Sequence, residues 1–254
     1  MTADPVDEWD TPARHVGRRV RVFAELASTN DCAAGCLPGE VVVALHQTQG
    51  RGQYGRVWQS RPGASLLLSA VVAPPVQVRR PVVLTAWAAV SVAHAVGKLV
   101  GVSVRQKWPN DLLVGDQKVC GILIEQSGNV VVGLGLNLTQ TAVEFAAAGL
   151  PAATSLAMLG GRDVGVREAA DAVVAALDEW YAPLADGDLA DLEGTWVRRL
   201  GLVGRAVAID LADGGEVVGR VRHLAFDAVE VDCGQVVPAV LAPERIRHVR
   251  VLDS

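Results

Sequence analysis

The sequence predicts an α+β fold: a mixed, largely antiparallel sheet with accompanying helices, followed by a small all-β unit. Three observations carry this. Six apolar, β-branched runs lie between Arg19 and Leu138, interspersed with stretches of helical periodicity. Adjacent runs are often joined by turns too short for a crossover helix, as at Ser127 and Gly128, which favours antiparallel pairing. Beyond Leu202 the pattern changes to short alternating strands with glycine turns.

The elements follow in chain order. Residues 1–18 read as an N-terminal extension expected to lack fixed structure. "RVRVFAEL" (Arg19 to Leu26) is the first strand, and Thr29 to Cys36 a short helix. "EVVVALHQ" (Glu40 to Gln47) is the second strand, and "QGRGQYGRVW" comes soon after it. Its Gly50, Gly52 and Gly55 spell a G-x-G-x-x-G, but that pattern opens a dinucleotide fold only where it ends a strand and starts a helix. Here Pro62 and Gly63 interrupt and the next strand, "ASLLLSAVV", begins, so the segment reads as a mobile cationic loop. Pro81 to Val100 is a helix with proline in its first turn. It is long enough to raise the question of a membrane span, but its many alanines, His94 and Lys98 suit a buried core helix. "SVRQKW", "KVCGILIEQ" and "NVVVGLGLNL" are strands and Val166 to Leu184 a helix, closing a domain over residues 19–200. A second unit spans 203–254, with Asp213, Gly214 and Gly215 at a hairpin tip.

Composition narrows the function classes. A chain of 254 residues, half of them hydrophobic, can bury one full core and a small satellite. The formal charge of -5 gives no overall basic field for nucleic acid, so any basic site must be local. Cys32, Cys36, Cys120 and Cys233 form no C-x-x-C pair, and Cys32 with Cys36 lacks further ligands nearby, which makes buried thiols the expectation over a metal. The acidic N-terminus does not fit a secretory signal, and the cytoplasm is the expected compartment.

Three stretches carry residue types suited to chemistry. In "GRGQYGR" glycines let backbone amides approach an anion while Arg51 and Arg56 can fork onto phosphate or carboxylate oxygens, although a solvated turn with two surface arginines has the same sequence. In "VRQKWPNDLLVGDQKVCGILIE", Lys107 and Trp108 end a strand before the turn Pro109 to Asp111; a lysine held by the X-Pro restriction is more rigid than an ordinary exposed one. In "VVVGLGLNL", Gly133 and Gly135 share one strand face with Asn137, an arrangement suited to a planar ligand, or to a bulge or close helix packing.

Together, "STN" at Ser28 to Asn30, "HQTQGRGQYGRVW" at His46 to Trp58, "KWPNDLL" at Lys107 to Leu113, "KVCGILIE" at Lys118 to Glu125 and "GLGLNL" at Gly133 to Leu138 resemble the biotin protein ligase family, in order and spacing. The resemblance implies a class II synthetase-like α+β core followed by an SH3-like barrel. It implies that biotin and Mg-ATP give biotinyl-5′-AMP and pyrophosphate, after which biotin passes to one lysine of a biotin carboxyl carrier domain. By the same carry-over, Lys107, Arg51 and Arg56 are the catalytic cations. Ser28, Thr29, Asn30 and Gln47 would hydrogen-bond the ureido head of biotin, whose neutral donors and acceptors suit hydroxyls and amides. Gly50, Arg51, Gly52, Gln53, Lys107, Gly133 and Gly135 would complete the biotin pocket. Arg56, Trp58, Asn110, Lys118 and Asn137 would meet the nucleotide, with ordinary core packing the alternative for Trp58. No protein ligands for a metal are identified, and Mg²⁺ is expected with ATP.

Two departures modify this. The family's loop often reads G-R-G-R-x-G-R, and Gln53 stands at the second arginine position, where a lost cation could loosen retention of the adenylate. Only 27 residues precede Ser28, too few for the DNA-binding domain of the repressor forms, so DNA is not an expected partner. A homodimer is compatible with the family, and a membrane partner is not expected. The rivals are a lipoate or octanoate ligase or transferase of the same superfamily, which would want an apolar acyl tunnel, and a non-catalytic adenylate-binding module.

Overall fold

The computed structural model describes residues 4–252. Its first part contains β1 (Asp7–Asp10), β2 (Arg19–Leu26), α1 (Thr29–Ala33), β3 (Glu40–Gln47), β4 (Ser65–Val72) and α2 (Pro81–Val100). Then come β5 (Arg105–Lys107), β6 (Asp111–Val114), β7 (Gln117–Ser127), β8 (Asn129–Asn137), α3 (Ala142–Ala147) and α4 (Leu156–Gly160). Next are α5 (Val166–Ala185) and α6 (Ala190–Leu200), and last β9 (Ala206–Leu211), β10 (Glu216–Leu224), β11 (Val229–Asp232), β12 (Ala239–Leu241) and β13 (Ile246–Val251).

The first eight strands form one sheet in the order β1-β2-β3-β4-β8-β7-β6-β5. Only β2 and β3 run parallel; every other pairing in it is antiparallel. Alternation along the central strands separates two faces. Leu66, Leu68, Ala70 and Val72 of β4, with Val130, Val132, Leu134 and Leu136 of β8, enter the main core, where α2 and α5 pack. Val71 and Val131 point the other way, into a smaller cluster with Phe23, Ala33 and Cys36 beside α1. A deep cleft lies on this second side.

Helix α2 begins with Pro81 and ends at Gly101 in the left-handed region (φ 71°), the asymmetry expected of helix ends. By length and composition it could cross a membrane, yet most of it is buried in the core. Trp87 ties it to α5 by donating its indole N–H to the Leu177 carbonyl at 3.2 Å.

Sequence reading missed α3, α4, α6, β1 and β6, and it carried the α1 helix beyond Ala33. Signals for two of these were present. Thr141 and Glu144 form a reciprocal capping box for α3, a T-x-x-E pattern. Leu192, Trp196 and Leu200 repeat every four residues and are the buried stripe of α6.

The extension before residue 19 is structured over its described part, contrary to expectation. Asp7–Asp10 pairs with β2, and the Asp178 carboxylate accepts backbone N–H bonds from His15 at 2.6 Å, Val16 at 2.8 Å and Arg14 at 3.0 Å. Partial burial by itself would raise this carboxyl's pKa, but the three N–H donors outweigh it and hold the group below the ordinary carboxylate range. A lowered native pKa stabilises the fold above the unfolded-state value, near 3.9, and that contribution fades as pH falls through the native value. Replacing Asp178 by Ala should cost about 2 kcal/mol at neutral pH. The gap between variant and wild-type melting temperatures should close on acidification below about pH 4, and a pH-independent gap would contradict this account.

The last five strands form a separate antiparallel sheet in the order β12-β11-β10-β9-β13, with the expected turn at Asp213–Gly215. Its edge strands β12 and β13 do not pair with each other among the described residues, so the five strands form an open sheet. It docks on the first part through aromatic packing. Trp196 of α6 stacks on Phe226 (centroids 4.9 Å apart, 29°) and lies 5.9 Å from Trp108. The Trp108 indole N–H donates to the Ile246 carbonyl at 3.1 Å, and Arg80 pairs with Glu244 at 2.7 Å.

Candidate active site

A cleft of about 1200 Å³ opens over the centre of the large sheet. Of the residues singled out from sequence, all but Gly50 line it: Ser28, Thr29, Asn30, Gln47, Arg51, Gly52, Gln53, Arg56, Trp58, Lys107, Asn110, Lys118, Gly133, Gly135 and Asn137. Gly50 sits behind the wall. Its carbonyl accepts the Trp58 N–H at 3.0 Å, and a Cβ there would fall 2.4 Å from the Trp58 carbonyl oxygen.

At one end is a hydrogen-bonded cluster at the start of α1. The Gln47 side-chain oxygen accepts from the Thr29 N–H at 2.7 Å and the Thr29 hydroxyl at 3.0 Å. The buried Ser69 hydroxyl lies 2.7 Å from Thr29 Oγ1 and 2.6 Å from Asn30 Oδ1. Asn30 Nδ2 donates to Glu125 at 2.6 Å. With its carbonyl oxygen so engaged, Gln47 keeps an amide donor, and Ser28 adds a hydroxyl with no protein partner among the described residues. Such neutral, mutually oriented donors and acceptors suit an uncharged polar head group. Sequence reading missed Ser69 and Glu125. Ser69 was legible as a polar residue inside the apolar run of β4.

The loop's first arginine is less free than its sequence suggests. Arg51 makes a bidentate pair with Asp31 at 2.8 and 2.6 Å and also reaches Glu125 at 3.3 Å. The hydrogen bond to Asp31 raises the guanidinium pKa further and lowers that of Asp31. Lys107 and Arg56 differ: among the described residues neither has a carboxylate partner, and both line the cleft. Register explains Lys107. It stands opposite Asp111 across the β5–β6 hairpin, but Asp111 is held by Lys118 at 2.6 Å. The turn that fixes it is well tied: Gln106 Nε2 donates to the Pro109 carbonyl at 2.8 Å, and Asn110 exchanges bonds with Ile122 at 2.6 and 3.1 Å.

The flat group lying against the strand glycines is supplied by the chain itself. Gly121 and Gly135 are directly paired, and a Cβ on Gly135 would fall 2.5 Å from the Trp58 indole. Trp58 thus covers a tile of bare backbone, as sequence reading expected a planar ligand to do. A Cβ on Gly133 would fall 2.2 Å from Asn30 Oδ1, so that glycine makes room for the polar cluster. Lys118 stands 5.7 Å from the Trp58 ring, and Asn137 Nδ2 donates to the Thr154 carbonyl at 3.0 Å, tying β8 to the loop before α4.

Buried polar atoms without a protein partner among the described residues gather here: Gln53 Oε1, Trp58 Nε1, Ser60 Oγ and Gln140 Oε1 all belong to cleft residues. Leaving such a group unpaired costs about 1–3 kcal/mol, which a polar ligand would recover. The cysteines take no part. Burial pushes Cys120 up to about 12 and raises Cys32 and Cys36, and all four are free thiols. Among the described residues no three His, Cys, Asp or Glu side chains come together as a metal site.

The chain matches known proteins in sequence and in fold. Residues 18–137 match the family described as "Biotin/lipoate A/B protein ligase family". A Mycobacterium tuberculosis protein, "Biotin--[acetyl-CoA-carboxylase] ligase", is 32% identical over 244 residues, covering 87% of each chain. The "Bifunctional ligase/repressor BirA" of Bacillus subtilis is 34% identical over 132 residues, 50% of this chain and 41% of that one, so the match spans less than half of that relative. The structure "Biotin protein ligase from Aquifex aeolicus in complex with biotin and ATP" superposes with a TM-score of 0.79 over 92% of this chain and 99% of that one, at 23% identity, a likeness of fold. With one relative above 30% identity aligned over most of its length and the motif-bearing strands matching the family, the chain belongs to the biotin protein ligases of the biotin/lipoate A/B protein ligase family.

Proposed function

We propose that this chain activates biotin with ATP and transfers it to a lysine of a biotin carboxyl carrier domain. In the first step a biotin carboxylate oxygen attacks the α-phosphorus of ATP; the bond to the β-phosphate oxygen breaks and pyrophosphate leaves. In the second, a neutral lysine amine attacks the acyl carbon of biotinyl-5′-AMP, AMP leaves, and the amine gives up a proton. The observation that carries the reading is that Lys107 and Arg56, cations with no carboxylate partner among the described residues, open on the same cleft as the neutral Ser28–Asn30 and Gln47 cluster. The relatives' names and the biotin and ATP held by the Aquifex structure point the same way.

In this reading the neutral cluster takes the ureido ring, with the loop residues Gly52 and Gln53 along the side chain, while Gly133 and Gly135 shape the biotin pocket by making room for Asn30 and Trp58. Lys107 meets the carboxylate and α-phosphate oxygens, where two anions must be brought together, and Arg56 assists. Arg51 acts chiefly by holding the loop, since its charge is already matched. Trp58, Asn110, Lys118 and Asn137 border the nucleotide. The cleft carboxylates Asp111, Asp116 and Glu144 are paired with Lys118, Arg105 and Arg61, so the residues present fit a magnesium ion carried by the nucleotide phosphates, with no cage of their own. The eight-stranded sheet with its helices corresponds in this reading to a class II synthetase-like core, and the five-stranded sheet to an SH3-like tail. Nothing in it needs DNA, a membrane or a second copy of the chain.

Thermal-shift titration separates biotin from lipoate, because a ligand that binds the native state raises its stability by RT ln(1 + [L]/Kd). Biotin should raise the melting temperature and lipoate should not; radiolabelled biotin with ATP should then label an apo carrier domain. A lipoate-only shift would replace this reading with the lipoate one. Restoring a cation with Gln53→Arg should slow release of the adenylate about fivefold, the difference between a neutral and a charge-assisted hydrogen bond. Equal release rates would remove any role for Gln53 in retention.

A further inference from the structure

The tip of the glycine-rich loop rests on the C-terminal sheet. Tyr54 is the only non-glycine residue with positive φ among the described residues (φ 57°, ψ 35°), and Gly55 after it is also positive at 75°. A tyrosine in the left-handed region is strained and persists when its surroundings over-determine it. Those surroundings are two side chains of β13. The Arg247 guanidinium lies 4.7 Å from the Tyr54 ring centroid, and the His248 ring meets Tyr54 edge-on at 5.6 Å and 65°. His248 also lines the cleft.

The loop is therefore pinned twice. Its base is tied by the Arg51–Asp31 pair and by the bridge between Arg51 and Val57, its tip by Tyr54 on β13. Between the pins Gly52 N–H donates to the Arg56 carbonyl at 2.7 Å, closing a tight turn from which Gln53 and Arg56 line the cleft. We infer that Tyr54, Arg247 and His248 form a clamp by which the C-terminal sheet positions the glycine-rich loop over the cleft, so that the sheet sets how long an activated intermediate is retained. This rests on the adenylate-forming reading. Tyr54 and Arg247 are positioning residues; neither is asked to touch the reacting atoms.

Two measurements test the clamp separately from the chemistry. Trypsin cleavage after Arg51 and Arg56 in the ligand-free protein reports loop docking with no substrate present. Arg247→Ala, outside the loop, should speed that cleavage about threefold to tenfold, and Tyr54→Gly, which accepts the backbone conformation but lacks the ring, should do the same. Tyr54→Phe keeps the ring and should restore wild-type cleavage. The double variant Tyr54→Gly/Arg247→Ala should be no worse than the worse single one, because both remove the same contact. Release of preformed biotinyl-5′-AMP should follow the same order, with adenylate formation at saturating substrates little changed. Unaltered cleavage in Arg247→Ala, or effects that multiply in the double variant, would overturn the clamp. A wild-type protein that forms no adenylate would overturn the functional reading and leave the cleavage result standing on its own.

Discussion

Replacing Lys107 by Ala should abolish most of the activation step while leaving the fold intact. Removing one preorganised charge donor from the place where transition-state charge develops costs about 10²–10³ in rate. Lys107 is exposed at the end of β5 with no carboxylate partner among the described residues, so its loss breaks no ion pair there and stability should change by no more than about 0.5 kcal/mol. Pyrophosphate release with biotin and ATP, measured beside a thermal melt, distinguishes the cases. Wild-type carrier labelling by the variant would end the catalytic assignment. A large drop in melting temperature would show instead that Lys107 holds the hairpin together.

Replacing Trp196 by Ala should give the largest loss of stability. The side chain is 1% exposed and lies between Trp108 and Phe226, so its removal leaves a cavity where the two parts of the molecule meet. Truncating a buried tryptophan costs about 3–5 kcal/mol, and at roughly 2–4 °C per kcal/mol for a chain of this size the melting temperature should fall by roughly 10 °C. The effect should reach the cleft, because Trp108 is the neighbour of Lys107 and its indole is anchored to Ile246 in β13. The surviving folded fraction should therefore activate biotin less well than wild type at temperatures where both are native. A melting temperature within a degree or two of wild type would mean that Trp108 and Phe226 close over the gap.

Much of this molecule follows from short stretches of sequence. Alternating β-branched runs specify strands, because period-two patterning buries one face and local sterics favour the pleat; the helix from Pro81 to Gly101 carries its own start and stop. Arg51–Arg56, Lys107 and Gly133–Asn137 were visible as candidates from residue types suited to anions and flat ligands, whereas Ser28–Asn30 entered only through the resemblance to the biotin protein ligases. Helix α6 and the cap of α3 were also written in local patterns, though short ones that a search for long periodicity passes over.

What only the tertiary structure decided is which candidate is free to act. In sequence Arg51 and Lys107 are two cations of equal promise. Folding brings Arg51 onto Asp31 and Glu125, residues 20 and 74 positions away, and pairs Lys118 with the carboxylate that strand register sets opposite Lys107. Folding likewise lays Trp58 on the glycine tile and brings His248 from the second sheet into the cleft. The reason is physical: propensity and periodicity act over a few residues, whereas the partner of a charge or a flat ring is set by register and domain packing, which join positions that no local pattern relates.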